Sequence, residues 1–477
     1  MIKLHDRSVC LLGAGVSNRP LAEYLLSMGA KVTIRDKKPL CELGEKMAEL
    51  AENGVRFVTG EDYMQDITEE VIFRSPGFRP DLPELQTAVA KGAILTSEME
   101  LFLDNAPCPV YAVTGSDGKS TTTTVTHLLL SAGLSGTGHQ SFLGGNIGEP
   151  LAHRLPMIHA EDRVAVELSS FQLMTIDAPM AAAAITNVTP NHLNWHPDMD
   201  EYIEAKTHIL RQSRRAVLNY GCDVTRQIGE KLVQEGGIPV TWFSRNEIPT
   251  DILRPCDSAI FLENGVVTAY WADIGREEIM PLSTIRLPGL HNAENYMTAI
   301  ALTHGEVSTA QIRQVASTFG GVQHRLESVA TVDGVHYING SIDSSPTRTA
   351  AALSALGERP IVLICGGYDK HIPFAPLAEA ILSRQNVHTL VLTGATGDAI
   401  EASLRESPLW QERVEGGFML YREPVFDDAV SCAAGAAKEG DTVLLSPACA
   451  SFDAFPNFEV RGNHFKELVH KLEENQK

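Results

Sequence analysis

The stretch VYAVTGSDGKSTTTTVTHLLL, residues 110–130, constrains the fold most. An apolar run meets a glycine-framed loop, which opens into Lys119, Ser120 and a row of threonines. That order predicts a strand, a tight turn and a helix. Such a turn supplies a nest of N–H groups, one cation for the β- and γ-phosphates and one hydroxyl for Mg²⁺. Gly115, Ser116, Asp117 and Gly118 would build the nest, Lys119 would be the cation, Ser120 the hydroxyl and Thr121 a second one. The loop is two residues shorter than G-x-x-x-x-G-K-[ST]. The rival reading is a surface turn with a solvated lysine, which leaves the coincidence of strand, glycines, Lys-Ser and helix unexplained.

At roughly 150 residues per domain, 477 residues point to three domains. In residues 1–104 short apolar runs (SVCLLGAG, KVTIRD) alternate with helical patterns, the rhythm of βαβ units. Pro-containing DNAPCPV leads into residues 105–321, which hold the loop, RVAVELSSF and RAVLNYG. Residues 322–477 again repeat strand-like runs ending in turn residues: PIVLICGG, HTLVLTG and DTVLLSP. The expected fold is α/β with mostly parallel sheets.

The formal charge is −21, from 39 basic and 60 acidic residues, a surface that repels nucleic acid and anionic lipid. No apolar run approaches the roughly 20 residues of a membrane span. The start, MIKLHDRSVCLLGAG, enters a strand-like run without a cleavage site, so we expect a cytoplasmic protein. The eight cysteines include no C-x-x-C pair and read as reduced, mostly buried thiols.

A second phosphate signal lies in LLGAGVSNRPLAEYLL, residues 11–26. Gly13 and Gly15 permit a tight turn, Pro20 suits a first helical turn, and Asp36 closes the next strand-like run at the position of a ribose-binding acid. The third glycine of the dinucleotide fingerprint is replaced by Asn18, which favours a nucleotide over NAD. Downstream, Glu167 follows the run VAVE, where a carboxylate could ligate Mg²⁺. Spacing leaves His192 and His196 open between functional and packing roles, and Lys206 by itself reads as a solvated helix lysine.

These pieces, with SPG (75–77), GGNIGEPL (144–151), ELSSFQL (167–173), NVTPNHLNWH (187–196), LPGLHNAENYMTA (287–299), HRLE (324–327), GGYDKHIPF (366–374) and SPACASFDAFPNFEVRGN (446–463), resemble the Mur ligase family over nearly the whole chain. The resemblance implies an N-terminal Rossmann-like domain for a UDP sugar, a central P-loop ATPase-type domain and a C-terminal Rossmann-like domain for an amino acid. ELSSFQL and the last motif point to the D-glutamate-adding branch, whose members use ATP to join D-glutamate to UDP-N-acetylmuramoyl-L-alanine through an acyl phosphate in peptidoglycan synthesis. It further implies UDP-sugar contacts at Gly15, Val16, Ser17, Asn18, Asp36, Ser75, Pro76, Gly77 and Asn146, and nucleotide contacts at the loop. Asn295 would face the adenine, and His324 and Arg325 would meet the nucleotide from the third domain. Two Mg²⁺ would be served by Ser120, Glu167, His192 and a carbamylated Lys206. D-Glutamate would be held by Ser344, Lys370, Ser451 and Phe458, in a chain expected to be monomeric.

Two positions depart from the family pattern. Gly340 and Asn194 stand where acids are usual, and Asp343 follows three residues after Gly340. We read Gly340 as drift in a tolerant turn. The alternatives are a ligase of the same fold with another acceptor, a non-catalytic UDP-sugar-binding paralogue, and a NAD-dependent dehydrogenase.

Overall fold

The computed structural model describes residues 4–15, 18–190, 195–287, 289–370 and 372–474, the Glu45 side chain apart. The chain forms two compact units, Met1–Phe319 and Gly320–Lys477.

The first unit contains two sheets. Strands β1 (Ser8–Leu12), β2 (Lys31–Asp36), β3 (Arg56–Thr59), β4 (Val71–Arg74) and β5 (Ile94–Thr96) pair in parallel in the order β3-β2-β1-β4-β5. The chain reverses direction across the sheet between β1 and β4, so the loops after these strands flank a crevice of the kind that binds nucleotides. The second sheet comprises β6 (Val110–Thr114), β7 (Ser141–Gly145), β8 (Arg163–Glu167), β9 (Ala182–Ile185), β10 (Ala216–Asn219), β11 (Val240–Ser244), β12 (Ser258–Glu263), β13 (Val266–Trp271) and β14 (Gly275–Pro281). Its order is β14-β13-β12-β11-β10-β9-β6-β8-β7, parallel except for the β12–β13–β14 meander. Continuous apolar runs such as VYAVT and AAAI are buried throughout, as parallel strands covered on both faces require. One apolar cluster runs from Leu11 and Phe102 through Leu151 to Leu168 and Trp242, which explains why the two sheets make a single unit.

Helix Lys119–Gly133 leaves β6 and packs against helix Leu290–Leu302. Val125, Leu129 and Leu130 meet Tyr296, Met297 and Ile300 in a second cluster. Helix Leu290–Leu302 is buried over most of its surface, which suits its apolar sequence and carries Asn295 to the start of the other helix.

The second unit has one sheet: β15 (Glu327–Val332), β16 (Val335–Asn339), β17 (Ile361–Gly366), β18 (Val387–Thr393), β19 (Met419–Arg422) and β20 (Thr442–Leu445). The order is β15-β16-β20-β17-β18-β19, with only β15 antiparallel. The fold is therefore α/β with mostly parallel sheets. Among the described residues no helix is long and apolar enough to cross a membrane. All eight cysteines are unpaired. Cys10, Cys108, Cys365 and Cys449 are buried and Cys41 and Cys256 are exposed, so burial is less general than the sequence suggested.

Candidate functional site

The loop after β6 is held in its shape by two glycines and a ring of polar neighbours. Gly115 has φ 148° and Gly118 φ 77°, conformations that side-chain-bearing residues rarely adopt. A Cβ on Gly115 would run into Thr186 Oγ1, and one on Gly118 into Asn295 Oδ1. Thr186 Oγ1 donates to Asp117 O (2.6 Å), and the Ser116 and Asp117 N–H groups donate to Asn187 Oδ1 (3.2 and 2.9 Å). The first N–H groups of a helix have no intrahelical acceptor, so the start of helix Lys119–Gly133 has the form of an anion site. Lys119 Nζ donates to Ser116 O (2.9 Å), which bends its ammonium back over the loop. Ser120 is buried and Thr121 half-buried beside it. Asn295 accepts from Thr122 Oγ1 (3.2 Å) and donates to Asn292 Oδ1 (3.1 Å), so it packs beneath the loop with its polar atoms in use.

Glu167 and Lys206 flank this loop. Glu167 closes β8 in register with Val113 on β6. Its side chain is buried: Oε1 accepts from Asn146 Nδ2 (2.8 Å), while Oε2 has no hydrogen-bond partner among the described residues. An orphaned carboxylate oxygen in a low-dielectric interior is costly unless a cation meets it. Lys206 lies on helix Met199–Thr207, and the structure overturns its reading as a solvated lysine: it is 2% exposed. The helix presses Tyr202, Ala205 and Lys206 inward; Nζ donates to Gly115 O (2.7 Å) and lies 4.5 Å from the centre of the Tyr202 ring. Burial, and next the Lys119 cation, lower its amine from 10.5 to about 6, against the opposing pull of Glu167 and Asp117. The amine is therefore largely neutral at pH 7. Among the described residues no group of three or more His, Cys, Asp or Glu side chains stands ready for a metal. His192 and Asn194 lie outside the described residues, as do Val16 and Ser17.

The loops after β1 and β4 meet at the crevice of the first sheet. Asn18, in place of a third glycine, turns its amide inward to Leu12 O (3.1 Å), Gly13 O and Ser75 Oγ (3.2 Å), and Ser75 Oγ donates to Leu12 O (2.6 Å). Asp36 accepts from the Ala14 N–H (2.7 Å) and the Lys38 N–H (2.8 Å), so its carboxylate supports the loop backbone. Gly15 and Gly77 are exposed, with open space where a side chain would stand; Pro76 lies between Ser75 and Gly77. Asn146 belongs with Glu167 at the second sheet rather than with these loops.

In the second unit the ends of β16, β20 and β17 gather the third set. Lys370 Nζ lies 3.4 Å from Ser344 Oγ, and Ser451 is buried in the segment after β20. Phe458 starts helix Phe458–Glu474, and its carbonyl accepts from Ser341 Oγ (2.8 Å). His324 is buried, with Nδ1 3.1 Å from Asn339 Nδ2, while Arg325 is exposed. Gly340 is not in a tolerant turn: a Cβ there would lie 2.7 Å from Leu445 O and 2.8 Å from Asp343 Oδ2. Asp343 thus directs a buried carboxylate into the space beside position 340, where it accepts from Ser446 Oγ (2.9 Å).

Burial raises the Asp343 carboxyl from 3.8 to about 6, with Ser446 and the cations of Arg325, Arg348 and Arg461 opposing. The folded chain therefore binds this proton more tightly than the unfolded one. The stabilisation is full below about pH 4 and is lost as pH rises through 6. We expect Asp343→Asn to match the wild type near pH 4 and to melt higher at pH 8, as thermal unfolding at the two pH values would show.

The profile described as the Mur ligase middle domain matches residues 113–303, and that of the Mur ligase glutamate ligase domain matches residues 324–449. UDP-N-acetylmuramoylalanine–D-glutamate ligase of Clostridium novyi is 42% identical over 477 residues, covering 98% of each chain. The enzyme of that name from Clostridium perfringens is 40% identical, covering 98% of each. The chain belongs to the Mur ligase family. The fold agrees with that of UDP-N-acetylmuramate–alanine ligase from Thermotoga maritima, at 17% identity and TM-score 0.54 over 98% of this chain and 99% of that one. Mur ligases are ATP-dependent, so ATP is the nucleotide this chain uses.

Several residues that shape this Mur ligase site escaped the sequence. Thr186 and Asn187 clamp the loop because β9 lies beside β6, and Tyr202 OH lies 3.0 Å from Ser116 Oγ. The polar Thr-Asn that ends the run AAAAI was a local signal, but the strand pairing that gives it meaning was not in the sequence pattern.

Proposed function

We propose that this chain is an ATP-dependent ligase that joins D-glutamate to the L-alanyl carboxylate of UDP-N-acetylmuramoyl-L-alanine, in the cytoplasm, as a step of peptidoglycan precursor synthesis. The observation that carries the reading is the β6 loop with a buried acid, Glu167, and a buried neutral amine, Lys206, at its flank. The proposed organisation is a sugar-nucleotide domain at 1–104, an ATP domain at 105–321 and an amino-acid domain at 322–477.

A carboxylate is a poor electrophile. Transfer of the γ-phosphoryl group makes it an acyl phosphate, and the D-glutamate amine then displaces phosphate. Both partners of the first step are anions, so the site must offset their repulsion. Lys119 and the N-terminus of its helix hold the triphosphate. The orphaned Oε2 of Glu167 suits a cation, and Ser120, His192 and a carbamylated Lys206 would complete the ligands for two Mg²⁺. When bound, Mg²⁺ supplies positive charge against the phosphates and the carboxylate. A neutral buried amine can add CO₂, releasing one proton, to become a carbamate anion, which a protonated lysine cannot do.

The loops of Gly15–Asn18 and Ser75–Gly77, together with Asn146, hold the UDP sugar; Asp36 supports the first of these loops. Asn295 supports the phosphate loop, and Arg325 serves the nucleotide with His324 behind it. Ser344, Lys370, Ser451 and the Phe458 backbone hold D-glutamate, with Lys370 opposite a carboxylate. Phosphate release measured with UDP-N-acetylmuramoyl-L-alanine, ATP and a panel of amino acids tests the reading. We expect stimulation by D-glutamate alone. Stimulation by L-glutamate or lysine, with none by D-glutamate, contradicts it.

A further inference from the structure

His196 joins three parts of the first unit through a side chain with no exposed surface. Its Nδ1 lies 2.8 Å from Glu201 Oε1 and its Nε2 2.9 Å from Ser170 Oγ. A carboxylate only accepts, so Nδ1 carries the hydrogen, and the neutral ring takes the Ser170 hydroxyl hydrogen at Nε2. Burial favours that neutral ring, against the pull of Glu201. The connectivity is that of a hydrolase triad, but Ser170 is 2% exposed and offers no surface to a substrate. The arrangement is a buried strut.

The strut continues into the first sheet. Arg79 grips Glu201 with two nitrogens, Nη1 to Oε1 at 3.0 Å and Nη2 to Oε2 at 2.9 Å, and Nη1 also donates to Trp195 O (2.8 Å). Arg74, at the end of β4, donates to Phe171 O (2.9 Å) and Thr175 Oγ1 (3.0 Å). The segment Arg74–Arg79 contains Ser75, Pro76 and Gly77. It is therefore pinned at one end to the helix that follows Glu167 and at the other to the helix that carries Lys206. The His196 ring also lies 5.2 Å from that of Tyr202, whose hydroxyl reaches Ser116 in the phosphate loop.

We infer that Arg79, Glu201, His196 and Ser170 form a positioning relay that couples occupation of the Ser75–Gly77 loop by the sugar nucleotide to the placement of Glu167 and Lys206 beside ATP. The relay rests on the substrate assignment proposed above. The bidentate Arg79–Glu201 pair is partly exposed, but it leads into the buried His196 and Ser170. Hydrogen bonds of fixed geometry resist sliding, so a shift of the loop moves both helices together. None of the four residues touches a reacting atom; they act through the groups they hold.

Calorimetric titration with UDP-N-acetylmuramoyl-L-alanine and with Mg²⁺ plus a non-hydrolysable ATP analogue, each alone and in the presence of the other, tests the relay. In the wild type each ligand tightens the other by the same factor, of the order of 5–150-fold. His196→Phe keeps a planar aromatic ring, somewhat larger than imidazole, and removes both hydrogen bonds. It brings the factor close to one while each ligand alone still binds. Glu201→Gln, at a partly exposed position, does the same without disturbing the buried ring. His196→Asn, whose amide can replace Nδ1 toward Glu201, restores part of the coupling, which a purely structural role does not predict. Undiminished coupling in folded His196→Phe or Glu201→Gln overturns the relay, as does a wild type that binds both ligands without coupling. A wild type that does not bind UDP-N-acetylmuramoyl-L-alanine refutes the substrate assignment and the relay with it.

Discussion

Lys119→Ala lowers kcat by at least roughly 10²–10³-fold, the cost of removing a preorganised charge from a phosphoryl-transfer site, while the protein stays folded. Its ammonium donates to Ser116 O, a bond of modest net worth, and alanine is well tolerated at a helix start, so the fold persists. The catalytic loss has a second source. The Lys119 charge helps keep the Lys206 amine unprotonated, so removing it raises the Lys206 pKa and disfavours the proposed carbamate. Steady-state kinetics with circular dichroism and thermal melting check the pair of outcomes. A folded Lys119→Ala enzyme near wild-type turnover contradicts the loop's role.

Lys206→Met separates stability from activity. Methionine keeps the unbranched stem and removes the buried amine, so the variant folds, but kcat falls by roughly 10²–10³-fold because the proposed carbamate cannot form. The stability change depends on pH in a defined direction. The amine titrates at 10.5 in the unfolded chain and at about 6 in the folded one. Between those values the unfolded chain keeps a proton that the folded chain has released, so wild-type stability rises with pH across that window. The gain from Lys206→Met is therefore largest at pH 6 and below and shrinks as pH rises toward 10.5. At the alkaline end only the lost bond to Gly115 O remains, worth about 1 kcal/mol against the variant. Denaturant melts at pH 6 and pH 9 measure this. A stability difference that does not change with pH contradicts a neutral, buried Lys206.

The strand, loop and helix of residues 110–133 were legible because each step is local: an apolar run, two glycines at positive φ and a helix start. Glu167 was legible for the same reason, as an acid at the end of a strand. The burial of Lys206 was not, because it depends on which face of Met199–Thr207 packs under a loop distant in sequence. Asn18 looked like a lost glycine, yet its amide pins two loops through Ser75, a contact that exists only once β1 and β4 are neighbours. Gly340 misled most clearly. It reads as a free turn in the chain, but the crowding comes from Leu445 on β20 and from the returning Asp343 carboxylate. His196 was left open by its spacing, and only the positions of Ser170 and Glu201 resolve it.

The fate of the L-alanyl carboxylate oxygens tests the central claim most directly. UDP-N-acetylmuramoyl-L-alanine carrying heavy oxygen in that carboxylate is turned over with ATP and D-glutamate, and the released phosphate is examined by mass spectrometry. An acyl phosphate requires one labelled oxygen to leave with each phosphate. Phosphate that emerges unlabelled while amide forms would mean that the γ-phosphoryl group never reached the carboxylate.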